Sequence, residues 1–221
     1  MKPDLFTRQP PLQAAIVDLD GTMVDTIGDF TVALNAVLTE LALAPVARPF
    51  IALTVGKGSE HLIRSTLAHV GADAGLYERA WARYQVHYVR VNGQHADVFP
   101  GVAEGLERLA ARGLKLACLT NKPTAFAVEL LRVKGLHRHF AVVFGGDAFE
   151  RKKPDPLPLL KTCEALGSAA ARTLMVGDSS NDAQAARAAG CPVVLVSYGY
   201  NHGEPVAAAG ADAVVDRIDA I

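Results

Sequence analysis

Asp18 and Asp20 stand two residues apart at the head of the octet Asp18-Leu19-Asp20-Gly21-Thr22-Met23-Val24-Asp25. On the end of an extended strand, residues i and i+2 point the same way, so both carboxylates would enter one pocket. Paired carboxylates repel, and their pKa values can be driven apart until one serves as nucleophile and the other as acid. Gly21 removes a side chain where backbone amides must come close to an anion. The purely structural alternative is an acidic turn that caps the next helix through Thr22 or Asp25.

Three further groups add to this pair. Thr120 and Asn121 can donate hydrogen bonds to phosphate oxygens, although a strand ending in Thr-Asn also serves as a turn. Lys153, in Lys152-Lys153-Pro154-Asp155-Pro156, offers a compact positive charge on a proline-stiffened loop. Asp178 and Asp182, in Gly177-Asp178-Ser179-Ser180-Asn181-Asp182, can hold a hard cation through oxygen ligands, or merely cap a helix at 182–189.

The elements that must position these groups are legible around them. Ala14 to Asp18, Leu114 to Leu119, Val142 to Phe144, Thr173 to Val176 and Val193 to Val196 are short apolar runs. Each has the character of a strand buried in a parallel sheet. Helical patterns lie between them, such as Val102, Leu106 and Leu109, or Phe126, Leu130 and Val133. The alternation predicts an α/β fold, a Rossmann-like doubly wound parallel sheet covered on both faces. Ligands bind such sheets beyond the carboxyl ends of the strands, where Asp18, Thr120, Asn121 and Asp178 fall. Between the first and second strands, about 70 residues carry only helical stripes: Phe30, Leu34, Val37 and Leu41; Ile63, Leu67 and Val70; Trp81, Tyr84, Tyr88 and Val91. This segment reads as an inserted α-helical cap. The expected division is a core of 1–22 and 96–221 with a cap of 23–95, and Phe99-Pro100-Gly101 as the return hinge.

Composition narrows the function class. The 221 residues suit one domain with an insertion, and a formal charge of −1 advertises no nucleic-acid or membrane surface. No run approaches the 18 or so apolar residues that span a bilayer. Met1–Gln13, with three prolines and no apolar run, reads as a loose extension and not a secretory signal. Cys118, Cys163 and Cys191 are odd in number and widely spaced, as expected of buried free thiols in a reducing cytoplasm. His61, His69, His137 and His139 lack the partners and spacing of a zinc site.

Taken in order, these motifs resemble those of the haloacid dehalogenase-like superfamily, and within it the phosphoglycolate phosphatases. The first motif is similar to Asp18-x-Asp20-Gly21-Thr22, the second to Thr120 in Leu119-Thr120-Asn121-Lys122-Pro123, the third to Lys153-Pro154, and the fourth to Gly177-Asp178-x-x-x-Asp182. Val55-Gly56-Lys57-Gly58, Gly145-Gly146-Asp147 and Tyr198 to Pro205 resemble loops of the phosphoglycolate phosphatases. Val17 and Met23 depart from the usual Phe and Leu by apolar exchange. The resemblance implies a phosphoric monoester hydrolase of carbohydrate metabolism that acts on 2-phosphoglycolate through an aspartyl-phosphate. Asp18 would be the nucleophile and Asp20 the acid and base. Mg2+ would sit on Asp18, Asp178 and the Asp20 carbonyl, with Asp182 supporting a metal-bound water or Lys153. Thr120 and Lys153 would balance the phosphoryl charge, with Gly21, Thr22 and Asn121 binding substrate. Read from the residues themselves, the free amides before the second cap helix, with Gly56 and Gly58 allowing close approach, offer an anion site for the substrate carboxylate, to which Lys57 adds charge. The alternative is a plain turn with Lys57 in solvent. The expected partner is a small phosphorylated substrate, with neither nucleic acid nor membrane, for a monomer or homodimer. Another small phosphate monoester is the nearest alternative. Asp20 argues against dehalogenases and phosphonate hydrolases of this kind. Phe30, where beta-phosphoglucomutases carry His, argues against a phosphomutase, and the large cap against a receiver-type signalling domain.

Overall fold

The computed structural model describes residues 11–221. The chain enters through β1 (Ala14–Val17) and the two-residue strand β2 (Val24–Asp25), then runs through four helices: α1 (Ile27–Glu40), α2 (Arg48–Thr54), α3 (Ser59–His69) and α4 (Tyr77–Val91). It returns through β3 (Asp97–Val98) to α5 (Val102–Ala111), β4 (Lys115–Leu119), α6 (Thr124–Val133) and β5 (Val142–Phe144). The remainder is α7 (Leu157–Leu166), β6 (Thr173–Gly177), α8 (Ser180–Ala189), β7 (Val193–Val196) and β8 (Ala213–Val215). Six strands make one parallel sheet in the order β5-β4-β1-β6-β7-β8. From β1 the chain builds outward first on one side and then on the other, so a crevice opens at the carboxyl end of β1. Val17 pairs with Cys118 on one side and Val176 on the other, which brings Asp18, Thr120 and Asp178 out side by side.

Period-two alternation divides the apolar strand residues between two layers. Val17, Leu116, Cys118 and Val176 pack with Leu106 of α5 and Leu130 of α6. Ile16, Leu119 and Met175 pack with Leu159 of α7 and Ala186 of α8 on the opposite face. The sheet is therefore covered on both faces, as the alternating pattern predicts. Phe30, Leu34, Ile63, Tyr84 and Tyr88 form a separate cluster among α1, α3 and α4, so the cap has its own core. It joins the sheet domain through the antiparallel ribbon of β2 and β3. At the return, Asp29 of α1, fully buried, accepts hydrogen bonds from the backbone N–H groups of Gly93 and His95.

Several details correct the expectations. The sheet has a sixth strand, β8, too short and too marginally placed at the edge to stand out as an apolar run. The ribbon strands and α2 were likewise unmarked, being two and seven residues long. Val133 is 54% exposed, and Leu131 is buried in its place. Of the expected loose extension, Met1–Pro10 lies outside the described residues. Leu12 packs on the core, Gln13 N–H donates to the Arg172 carbonyl, and the Arg172 guanidinium donates to the Pro11 carbonyl. Cys118, Cys163 and Cys191 are buried free thiols.

Candidate active site

A cavity lies between the sheet and the cap. Asp18, Asp20 and Thr120 line it from the core, and Phe30, Gly56 and Ser59 from the cap. Asp18 and Asp20 thus face one pocket, as their spacing predicts. Thr120, 3% exposed, sits at the end of β4, where its N–H donates to the Phe144 carbonyl and its hydroxyl accepts from Lys122 N–H.

Behind this wall stands a buried charge cluster. Lys153 Nζ lies 2.9 Å from Asp18 Oδ1 and 2.7 Å from Asp182 Oδ1. It also donates to the Leu119 carbonyl. Asp182 is the acidic member of a capping box at the start of α8: its Oδ2 accepts from the backbone N–H groups of Asp178 and Ser179 and from the Ser179 hydroxyl. Both oxygens are hydrogen-bonded, so Asp182 orients Lys153 through one and the start of α8 through the other. The capping box and the contact with Lys153 are both present in the fold.

Asp178 is held from three directions. The Thr22 hydroxyl donates to its Oδ1 at 2.9 Å, the Tyr200 N–H donates to its Oδ2 at 2.6 Å, and two glycines crowd it. A Cβ on Gly21, at φ +85°, would stand 2.3 Å from Asp178 Oδ2, and one on Gly199 would stand 2.2 Å from Asp178 Cβ. Gly21 is thus required by the Asp178 side chain. Its own N–H is spent on the Val24 carbonyl within the turn, so it is not free for an anion as expected. Thr22, fully buried, likewise serves Asp178 and does not line the cavity.

The electrostatics follow from burial. Desolvation pushes the Asp18 carboxyl up to about 7, against the pull of Lys153 and with the help of Asp182. Desolvation also raises Asp178 well above the ordinary carboxylate range, with Asp182 and Asp18 adding repulsion. Burial works against the Lys153 charge, but the carboxylates of Asp18 and Asp182 outweigh it and hold the ammonium above its ordinary value. Oxygens of Asp18, Asp178 and Asp182 lie within 4.8 Å of one another. Crowded, desolvated carboxylates of this kind suit a hard divalent cation, which would relieve their repulsion.

Two expected substrate contacts sit differently. Asn121 lines the cavity, but its side-chain amide donates to the carbonyls of Gly56 and Lys153 and its oxygen accepts from Lys153 N–H. It ties the cap loop to the lysine loop. Lys57 is exposed and lines an outer groove with Arg64, Arg151, Lys152 and His202, outside this cavity. Its neighbours Gly56 and Gly58 do line the cavity, but the Lys57 side chain does not.

Sequence reasoning passed over Lys122, although it stands within the motif that carries Thr120. Lys122 is 4% exposed, pairs with Asp20 at 3.0 Å, and donates to the Tyr88 hydroxyl. It also passed over the binding roles of Tyr198 to Pro205. Tyr198 donates to the Thr22 carbonyl, Tyr200 donates to Asp25, and His202 lies 3.2 Å from the Leu53 carbonyl in α2. The loop therefore buttresses Asp178 and meets the cap, which its aromatic and polar composition alone could not show.

Residues 15–196 match the family model described as haloacid dehalogenase-like hydrolase. The chain is 43% identical over 211 residues to the phosphoglycolate phosphatase of Thiobacillus denitrificans, covering 94% of this chain and 93% of that one. It is 42% identical to the plasmid-borne phosphoglycolate phosphatase of Cupriavidus necator, covering 96% and 92%. The crystal structure of a predicted phosphoglycolate phosphatase from Haemophilus somnus superposes with a TM-score of 0.89 at 29% identity, covering 94% and 95%.

Proposed function

The chain belongs to the haloacid dehalogenase-like hydrolase family, and on that premise we propose that it hydrolyses 2-phosphoglycolate to glycolate and phosphate. It is a phosphoric monoester hydrolase. The narrower substrate is supported by the relatives named phosphoglycolate phosphatase, which resemble this chain across cap and core alike. The observation that carries the reaction is the meeting of Asp18, Asp20 and Thr120 in one cavity against the buried cluster of Lys153 and Asp178.

In this reading a side-chain oxygen of Asp18 attacks phosphorus while the bond from phosphorus to the ester oxygen breaks. Asp20 delivers a proton to that oxygen, and glycolate leaves. Asp20 then takes a proton from water as the water oxygen attacks the aspartyl-phosphate, which releases phosphate and restores Asp18. Lys153 and Thr120 offset the charge on the phosphoryl oxygens, the positioning and electrostatic work that phosphoryl transfer chiefly requires. Mg2+, held by Asp18, Asp178 and the Asp20 carbonyl, would neutralise the carboxylates and polarise the phosphoryl group. Residues 23–95 serve as the cap that excludes water over a small substrate. We place the enzyme in the cytoplasm, where its buried cysteines stay reduced.

A phosphomutase reading is disfavoured by Phe30, whose ring faces the Lys122 ammonium at 4.5 Å and offers no group to move a proton. The test is phosphate release from a panel of small phosphate esters with and without magnesium. The highest kcat/KM is expected on 2-phosphoglycolate, and a stronger preference for another ester would overturn that substrate.

A further inference from the structure

The substrate proposed above has two anionic ends, and the cluster of Lys153 and Asp178 accounts for the phosphate alone. Its carboxylate hangs on the carbon attached to the ester oxygen. Whichever side chain protonates that oxygen is therefore a close neighbour of the carboxylate too. In this site that side chain is Asp20, and 3.0 Å from its Oδ1 stands the ammonium of Lys122.

Lys122 has the properties of a carboxylate receptor. Its side chain is 2% exposed. It is the one cationic side chain among the described residues that line the cavity. The wall around it includes Phe30, Val55 and Leu62, so a carboxylate placed there gives up much of its hydration and needs a paired charge. In such surroundings an ion pair with a hydrogen bond gains strength that it lacks at a surface. The ammonium is fixed in place, with the Tyr88 hydroxyl accepting one of its protons and the rings of Phe30 and Tyr88 at 4.5 and 4.7 Å. Of its three donors, Asp20 and Tyr88 take two, which leaves one for a ligand. Ser59, at the first turn of α3, lines the same cavity and adds a hydroxyl. Lys57, by contrast, is exposed in the outer groove.

We propose that Lys122 is the specificity residue that binds the carboxylate of the substrate, an assignment that rests on the phosphoglycolate reading. The test compares 2-phosphoglycolate with ethyl phosphate, which has the same skeleton without the carboxylate, on the wild type and on Lys122→Met. Methionine keeps the length and the apolar stem against the two rings. Both substrates release an alkyl alcohol, so any disturbance of Asp20 enters both rates and cancels in their ratio. The preference for 2-phosphoglycolate in kcat/KM should fall about 100-fold in the variant, the loss of one charged hydrogen bond to a buried ammonium. Lys122→Gln serves as the second neutral variant and should lose the preference likewise, should the methionine protein fail to fold. Parallel losses on the two esters would overturn the proposal and leave Lys122 as a positioning residue for Asp20. A wild type that hydrolyses both esters equally well would instead overturn the phosphoglycolate reading, and the carboxylate assignment with it.

Discussion

The Thr22 hydroxyl donates to Asp178 Oδ1 across 2.9 Å and joins the turn after β1 to the end of β6, 156 residues further along the chain. This bond orients one carboxylate of the candidate metal site, beside which Gly21 and Gly199 leave no room for a Cβ of their own. The apparent substrate contacts of the first motif are in this sense supports for the fourth.

Asp178→Ala should raise the magnesium concentration for half-maximal activity by at least about tenfold, near 1.4 kcal/mol. Thr22→Val should shift it the same way by less, because the carboxylate remains but loses its orienting donor. Magnesium titrations of phosphate release measure both. Full activity in excess chelator would remove the metal from the mechanism.

Gly21→Ala should destabilise the fold by about 1–3 kcal/mol and weaken magnesium binding, since its Cβ meets Asp178 at a left-handed φ. Urea unfolding of the metal-free protein reads the first effect separately from the second. An alanine variant as stable as the wild type would show that the turn relaxes without cost.

Stability of the metal-free protein should depend on pH through Asp18. Its carboxyl is held at about 7 in the folded state against an ordinary 3.8. Between these values the folded protein binds more protons than the unfolded chain, so stability falls as pH rises through that window. A divalent cation pairs only with the ionised carboxylates and removes this cost. Magnesium should therefore raise Tm more at about pH 7.5 than at about pH 5.5. Thermal melts at the two pH values, with and without magnesium, decide it, and equal gains would contradict the assignment.

Asp18→Asn should abolish turnover while the fold persists, because an amide is a poor nucleophile and here replaces a carboxyl strained by burial. Retention of more than a few per cent of wild-type phosphate release would exclude Asp18 as nucleophile.

Asp20→Asn should cost little on an aryl phosphate, whose leaving group needs no proton, and much on an alkyl phosphate. Equal losses on the two esters would argue that Asp20 only shapes the pocket.

The sequence by itself determined the strand ends and the groups they carry. Apolar runs ending at Asp18, Thr120 and Gly177 encode buried parallel strands, and register between neighbours then sets their side chains on one edge. Spacing also sufficed for the pairing of Asp18 with Asp20 and for the inserted helices with their own apolar stripes. Tertiary structure decided which nearby polar residues face the cavity. Asn121, Lys122, Thr22 and Lys57 all look like anion ligands in one dimension. In the fold, Asn121 is spent on two backbone carbonyls, Thr22 on Asp178, and Lys57 turns to solvent, while Lys122 is buried beside an acid 102 residues away. A strand imposes its own alternation on its residues. The direction of a loop side chain is set by segments remote in sequence, and no local period records it.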